Sequence, residues 1–192
     1  EFGKIYSKRD QKYTEEERLS LYLSGHTEAE TWQHKSQPVS YYDLAQQVAH
    51  IFLKSGATEI KQDVITGDQL LEYGIKFIDG KDEFGKLGKV KPALLKDFGI
   101  KQELFYAELN TSLLFRLASP KLVIQEVSKF PEVRRDLSLV LDKQVTFDEI
   151  RKVVASTEKR LIKNIIAFDV YEGNNLAKEK KAYALGFTLL DE

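Results

Sequence analysis

Residues 129–142 read KFPEVRRDLSLVLD, and this stretch decides the fold of the second half of the chain. Three leucines alternate here with other side chains, in the order Leu137, Ser138, Leu139, Val140 and Leu141. Successive side chains of a strand point to opposite faces of a sheet, so the alternation predicts a strand with one strongly buried face.

A helix is predicted directly after this strand. Thr146 and Glu149 have the spacing of a capping box, in which each side chain bonds the other residue's backbone N–H. Apolar or small side chains then recur at helical spacing, at Ile150, Val153, Val154, Thr157 and Leu161. The remaining arc carries basic side chains, namely Arg151, Lys152, Lys159 and Arg160. We therefore expect a helix with one buried face and one basic face.

Two more strands are predicted beyond the helix. Ile166, Phe168 and Val170 mark one, the segment 173–175 (GNN) marks a turn, and the other is marked by Tyr183, Leu185, Phe187 and Leu189. The order strand, helix, strand, strand is most of a βαββαβ ferredoxin-like unit. In a complete unit the last strand pairs beside the first, so we expect the first strand to present an unpaired edge. We interpret the chain as truncated within this domain, with disorder of the last helix and strand as the alternative.

The first half predicts a mostly antiparallel sheet with flanking helices. Strands are indicated near residues 19–23, 59–65, 74–78, 84–90 and 104–109. One helix is expected from Tyr41 to about Lys54, between a Ser40 cap and a Gly56 stop, and a short one from Pro92 to Gly99. The connections are too irregular for a doubly wound dinucleotide fold. We predict an α+β chain with a boundary at Ser119-Pro120, dividing it into residues 1–118 and 119–192.

Composition excludes several classes of protein. The 192 residues are 42% hydrophobic and 31% charged, which is typical of a globular chain, and no apolar run reaches the ~18 to 20 residues of a membrane span. The absence of cysteine excludes disulfides and thiolate sites, and we expect a cytoplasmic protein without membrane contact. The net charge is −1, so any contact with RNA must be local.

No catalytic or metal-binding constellation is found in the sequence. The three histidines, His26, His34 and His50, lack partners at metal-ligand spacing. The segment GKLGK at 85–89 lacks the spacing of a phosphate-binding loop, and we interpret its glycines as sites of close backbone packing. We predict no catalytic residues, no metal site and no cofactor bound by this chain.

The second half resembles the ferredoxin-fold anticodon-binding domain that ends the β subunit of bacterial phenylalanyl-tRNA synthetase. Four ordered segments carry the resemblance: KFPEVRRDLSLVLD (129–142), FDEIR (147–151), FDVYEG (168–173) and KKAYALGFTLLDE (180–192). The first half resembles the preceding catalytic-like domain, in LSLYLSG (19–25), Trp32, LGKVKP (87–92) and FGIKQELFYAELN (98–110). One departure is KEKK at 178–181, where the family usually has a Gly-Lys-Lys turn.

The resemblance implies a fold, partners and cofactors. It implies a class II synthetase core that has lost its catalytic residues and packs on a catalytic α subunit, followed by a module that contacts the anticodon stem-loop of tRNA(Phe). The whole enzyme of the family has two α and two β subunits with a β–β contact, and joins phenylalanine to tRNA with ATP and magnesium. The editing and magnesium-binding parts of the β subunit are expected upstream of residue 1.

The resemblance also suggests which residues contact RNA. Unpaired anticodon bases stack on aromatic or guanidinium planes while cations neutralise phosphates. The candidates are Arg134, Arg135, Lys163, Tyr171, Lys180 and Lys181. We expect the sheet face without helices to show Ser138, Val140, Ala167, Asp169, Tyr171, Ala184, Gly186 and Thr188. Each candidate also has an ordinary structural alternative, since Tyr171 could pack on a neighbouring strand and the arginines could pair with Asp136.

Two rival functions remain open at this point. Ferredoxin-like domains also bind small metabolites, so a regulatory module is one alternative. The other is a protein-interaction scaffold that never touches RNA.

Overall fold

A computed structural model describes residues 1–9, 12–57, 60–118, 128–173 and 176–191. The chain divides into two compact units, Glu1–Leu122 and Val123–Glu192. The boundary predicted at residues 118 and 119 borders the segment 119–127, which lies outside the described residues. It therefore stays a prediction.

The first unit is built on a six-stranded antiparallel sheet with the strand order β1-β2-β6-β5-β4-β3. The strands are β1 (Phe2–Arg9), β2 (Lys12–Ser24), β3 (Lys61–Val64), β4 (Leu71–Asp79), β5 (Asp82–Val90) and β6 (Leu104–Asn110). The helices are α1 (Tyr41–Ser55), α2 (Pro92–Asp97) and α3 (Thr111–Leu117). The predicted α+β class with a mostly antiparallel sheet is confirmed.

Helix α1 covers one face of this sheet. Its start is fixed by the Asp43 carboxylate, which accepts from the backbone N–H of Ser40 at 2.7 Å, and its end by Gly56 at φ 75°. The buried side chain of Phe52 packs edge-on against Phe77 of β4, with ring centroids 4.9 Å apart. The predicted helix between Ser40 and Gly56 is confirmed, and it supplies the main core of the unit.

The backbones of β4 and β5 lie in close contact, as we predicted from the glycines of residues 85–89. A Cβ placed on Gly88 would lie 2.2 Å from the carbonyl oxygen of Tyr73, and one on Gly74 would lie 2.2 Å from that of Leu87. These positions accept only glycine because backbone atoms occupy the space of a side chain. A second apolar cluster, of Leu71, Val90, Leu95 and Tyr106, lies beside them.

The sole tryptophan, Trp32, lies between β2 and α1. Its side chain is 92% exposed, although the resemblance rested partly on it. It therefore contributes nothing to either apolar cluster of the first unit.

The second unit has the predicted order strand, helix, strand, strand. It comprises β7 (Val133–Asp142), α4 (Phe147–Thr157), β8 (Ile162–Tyr171) and β9 (Lys180–Leu189), and the sheet order is β7-β9-β8. Phe147 of α4 lies 6.4 Å from Tyr183 of β9, which identifies the face that α4 covers. We call this the helix face and the opposite side the open face. Among the described residues β7 pairs only with β9, and the expected unpaired edge stays a prediction because residues 119–127 lie outside the described part of the chain.

The predicted strong burial of β7 and α4 is wrong. Leu137 of β7 is 46% exposed and Val153 of α4 is 64% exposed, and no residue of α4 is fully buried. Only the central strand β9 has a neighbour on each side, so its Tyr183 and Leu185 are buried. Leu139 and Leu141 of β7 are half-buried, so in the described part of the chain the helix face over this strand is only partly covered.

Across the described ranges, no helix combines the length and the apolar composition needed to cross a membrane.

Candidate nucleic-acid interface

The structure divides the six candidate residues between the two faces of the second sheet. Register places Arg134 and Tyr171 on the open face, and Arg135 and Lys181 on the helix face. Lys180 also belongs to the open face, but its ammonium pairs with Asp142 at 2.8 Å. The six residues therefore do not form one contiguous surface.

Arg134 lies flat across the open face. Its Nε donates to the Asp136 carboxylate at 2.9 Å, so the pairing that the sequence left open does exist. Its guanidinium carbon lies 5.2 Å from the ring centroid of Phe168 on β8, on the far side of the central strand. Gly186 leaves room for this crossing, because a Cβ there would lie 3.3 Å from Arg134 Nη2, closer than an ordinary contact. The result is a guanidinium stacked on an aromatic ring, and Phe168 is still 50% exposed.

Ile166, Ala167 and Phe168 of β8 lie on the opposite faces from those that the sequence alternation implied. Strict alternation put Ile166 and Phe168 on the helix face and Ala167 on the open face. Register shifts between Ile162 and Asn164 and between Ala167 and Asp169 reverse this, so Ile166 pairs with Gly186 and Ala167 with Leu185. A bulge inserts one extra residue and exchanges the two faces beyond it. The remaining predicted open-face residues are on that face.

Tyr171 ends β8 on the open face, where it is paired with Ala182 and 43% exposed. Its hydroxyl occupies the space beside Gly173, since a Cβ on Gly173 would lie 2.2 Å from that oxygen. Phe168 and Tyr171 thus present two aromatic rings along one strand. Stacking of unpaired bases needs accessible rings of this kind.

The other two lysines among the candidates lie away from this surface. Lys181 is buried on the helix face, with its ammonium 5.0 Å from the ring centroid of Tyr183. Lys163 lies at the first register shift of β8 and lines a groove beside α4. Arg134, Phe168 and Tyr171 are therefore the residues that the fold brings together on the open face.

The first unit holds a polar network on the sheet face opposite α1. Arg18 pairs with Glu16 at 2.5 Å and with Glu108 at 3.2 Å, and the Tyr106 hydroxyl donates to Glu108 at 2.6 Å. Burial, reinforced by the hydrogen bond to Glu108, raises the pKa of Tyr106 above its ordinary value of 10.0. This tyrosine remains a protonated donor, so the network is suited to holding β2 and β6 together rather than to acid–base chemistry.

Metal binding finds no support in the described ranges, which contain no group of three or more His, Asp or Glu side chains placed to hold an ion. Magnesium, which the resemblance implies for the whole enzyme, thus has no fitting ligand set here.

Comparison with known proteins gives consistent matches over both units. Residues 1–111 match the family model "Phenylalanyl tRNA synthetase beta chain CLM domain", and residues 128–192 match "Ferredoxin-fold anticodon binding domain". The chain is 36% identical over 206 residues to a phenylalanine–tRNA ligase β subunit of Bacteroides fragilis and 37% identical over 204 residues to that of Bacteroides thetaiotaomicron. Both alignments include 100% of this chain and 25% of the relative, so the chain spans about a quarter of the length of these curated relatives. A Lactobacillus acidophilus β subunit is 30% identical over 197 residues, with 100% of this chain and 24% of the relative aligned.

Proposed function

Because the chain belongs to the phenylalanyl-tRNA synthetase β-chain family, we propose that it is the non-catalytic, tRNA-binding portion of such a β subunit. The family resemblance predicted from the sequence is confirmed by the same matches. In this proposal the second unit binds the anticodon stem-loop of tRNA(Phe), and the first unit associates with the catalytic α subunit. The proposal includes a whole enzyme of two α and two β subunits with a β–β contact, cytoplasmic, that uses ATP and magnesium.

The open face of the second sheet is the observation that supports this function most directly. The Arg134 guanidinium and the Phe168 ring form a stacked pair across Gly186, and Tyr171 lies further along β8. Every base has a π face, so such a surface accepts unpaired bases, at ~1–3 kcal/mol per stacked base. Small side chains on the central strand, at Ala184 and Gly186, leave room for them.

Substitution of Phe168 tests the proposal. In a full-length β subunit assembled with its α subunit, Phe168→Ala should weaken tRNA(Phe) binding in a filter assay by roughly 5- to 150-fold, the equivalent of one lost base stack. Phenylalanine activation, measured by ATP–pyrophosphate exchange without tRNA, should be unchanged because the chemistry takes place on another chain.

Phe98→Ala is the matched control, because it removes the same kind of side chain from a residue of the first unit that is 80% exposed. If Phe168→Ala binds tRNA as well as this control does, the open face is not the RNA surface.

A further inference from the structure

A groove of about 660 Å³ lies between α4 and the first residues of β8. It contains apolar side chains of both elements, such as Val154 and Ile165, and a rim of charged ones. The rim carries four cations, Arg151, Lys152, Lys159 and Lys163, against two carboxylates, Asp148 and Glu158. The groove is thus positive, in a chain whose net charge is −1.

The two carboxylates of the groove already have partners. Asp148 pairs with Lys152 at 2.7 Å, and this hydrogen bond lowers its pKa. The Glu158 carboxylate accepts from the backbone N–H groups of Arg160 at 2.8 Å and Leu161 at 3.0 Å, which lowers its pKa as well. Both groups therefore stay ionised and bound to neighbours of their own.

Arg151 and Lys159 form no ion pair with a carboxylate of the described residues, although the charge of Arg151 helps to lower the pKa of Asp148. Arg151 lies on α4, whereas Lys159 lies two residues beyond its last residue, Thr157, and both line the groove. Cations from two successive segments that line one groove suit a ligand with several negative charges.

We propose that this groove, which we call the basic groove, binds the phosphate backbone of the RNA whose bases lie on the open face. The inference rests on the proposed function and assigns a second contact region to it. Strand β8 belongs to both surfaces, since its first residues line the basic groove and its Phe168 lies on the open face. An RNA strand stacked on Phe168 passes this edge of the sheet.

The shape of β8 argues against an extended acidic peptide in the same place. Such a peptide would add to the sheet as another strand and needs a regular row of backbone groups. The register shifts at Ile162/Asn164 and Ala167/Asp169 break that row, and Lys163 is left outside the ladder. Bulges and lysines are the usual means by which proteins prevent strand addition at an edge.

The double variant Arg151→Gln/Lys159→Gln tests the inference in the full-length β subunit assembled with its α subunit. Binding of tRNA(Phe) is measured from 50 to 400 mM KCl. Each lost phosphate contact reduces the slope of log K against log salt by ~0.7–0.9, so the slope should become shallower by about 1.4–1.8 and binding near 0.1 M salt should weaken roughly 25- to 60-fold. The double variant Lys54→Gln/Lys96→Gln, with the same charge change in the first unit, should leave the slope unchanged.

An unchanged slope in the Arg151→Gln/Lys159→Gln variant would overturn the inference. If that variant instead loses binding of poly-glutamate while tRNA binding persists, the groove serves an acidic protein and the inference is also overturned. Phe168→Ala is measured in parallel. If Phe168→Ala loses tRNA binding while the groove variant binds normally, the inference fails but the proposed function stands. If both variants bind tRNA normally, the proposed function fails as well. Thermal melting followed by circular dichroism confirms that each variant is folded.

Discussion

Substitution of Gly186 by alanine should separate RNA binding from stability. A Cβ on Gly186 would lie 3.3 Å from Arg134 Nη2 and 3.3 Å from Ile166 Cγ1. Comfortable carbon contacts lie at ~3.5–4.0 Å, so both neighbours must move by a few tenths of an ångström. Arg134 presents the end of a half-exposed, flexible side chain there and can move without displacing the backbone, whereas Ile166 presents Cγ1 of a stiffer, β-branched side chain.

The expected change in stability is small. Alanine in place of glycine reduces the conformational entropy of the unfolded chain, a gain of ~0.4–1 kcal/mol that the tighter contacts at Arg134 and Ile166 partly cancel. We expect the free energy of unfolding to change by less than about 1 kcal/mol.

RNA binding should fall despite this. The methyl group lifts the Arg134 guanidinium from its position over Phe168, and an exposed cation–π contact is worth ~0.5–1 kcal/mol, which corresponds to a two- to fivefold loss of affinity for tRNA(Phe). Gly186→Val, with two more carbons at the same point, should lose more.

The assays are urea denaturation followed by circular dichroism and filter binding of tRNA(Phe) by the assembled enzyme. Gly3→Ala is the control, because a Cβ on Gly3 meets nothing within 4 Å. Unchanged affinity in Gly186→Ala and Gly186→Val, together with a clear loss in Arg134→Ala, would refute the argument that Gly186 holds the guanidinium in place.

Three further predictions concern stability, each measured by urea denaturation. Thr146→Ala removes the acceptor for the Glu149 N–H at the start of α4 and should cost about 1 kcal/mol, whereas Ser156→Ala near the end of the helix should be close to neutral. The backbone and side-chain hydrogen bonds from Thr146 lower the pKa of Glu149 below 4.5, so its contribution to the free energy of unfolding is complete above that pH and is lost as the pH falls through the lower folded value. Glu149→Gln should therefore reduce the loss of stability at acidic pH. An unchanged loss of stability at acidic pH would contradict this. Gly88→Ala puts a Cβ 2.2 Å from a backbone carbonyl oxygen of β4 and should lower the free energy of unfolding by ~3 kcal/mol or prevent folding. A Gly88→Ala variant as stable as Gly3→Ala would show that β4 and β5 do not approach so closely.

The elements that the sequence predicted well are those with local signals. Helix α1 has an acidic capping residue, an apolar stripe and a glycine stop, and α4 has the Thr146 and Glu149 pair. Strands β4, β5 and β6 have buried apolar positions bounded by turns. Each of these signals acts within a few residues, so a single sequence contains it.

The features that were missed depend on contacts distant in sequence or on the absence of burial. Strand β1 and the first part of β2 pair with each other but are exposed on both faces, so no apolar alternation indicates them. The face of Phe168 depends on bulges in β8 that arise from its pairing with β9. The exposure of Leu137 depends on which elements pack over β7, and the leucine alternation alone contains no information about that.

The position of Trp32 determines what the intrinsic fluorescence of the chain can report. An indole that is 92% exposed emits as it would in water whether or not the protein is folded, so denaturation of either unit should leave the emission maximum nearly unchanged. Any change in that emission would instead report a molecule that binds beside residues 25–40. These 192 residues thus carry a local optical probe for docking at that segment, with no second tryptophan among them to obscure it.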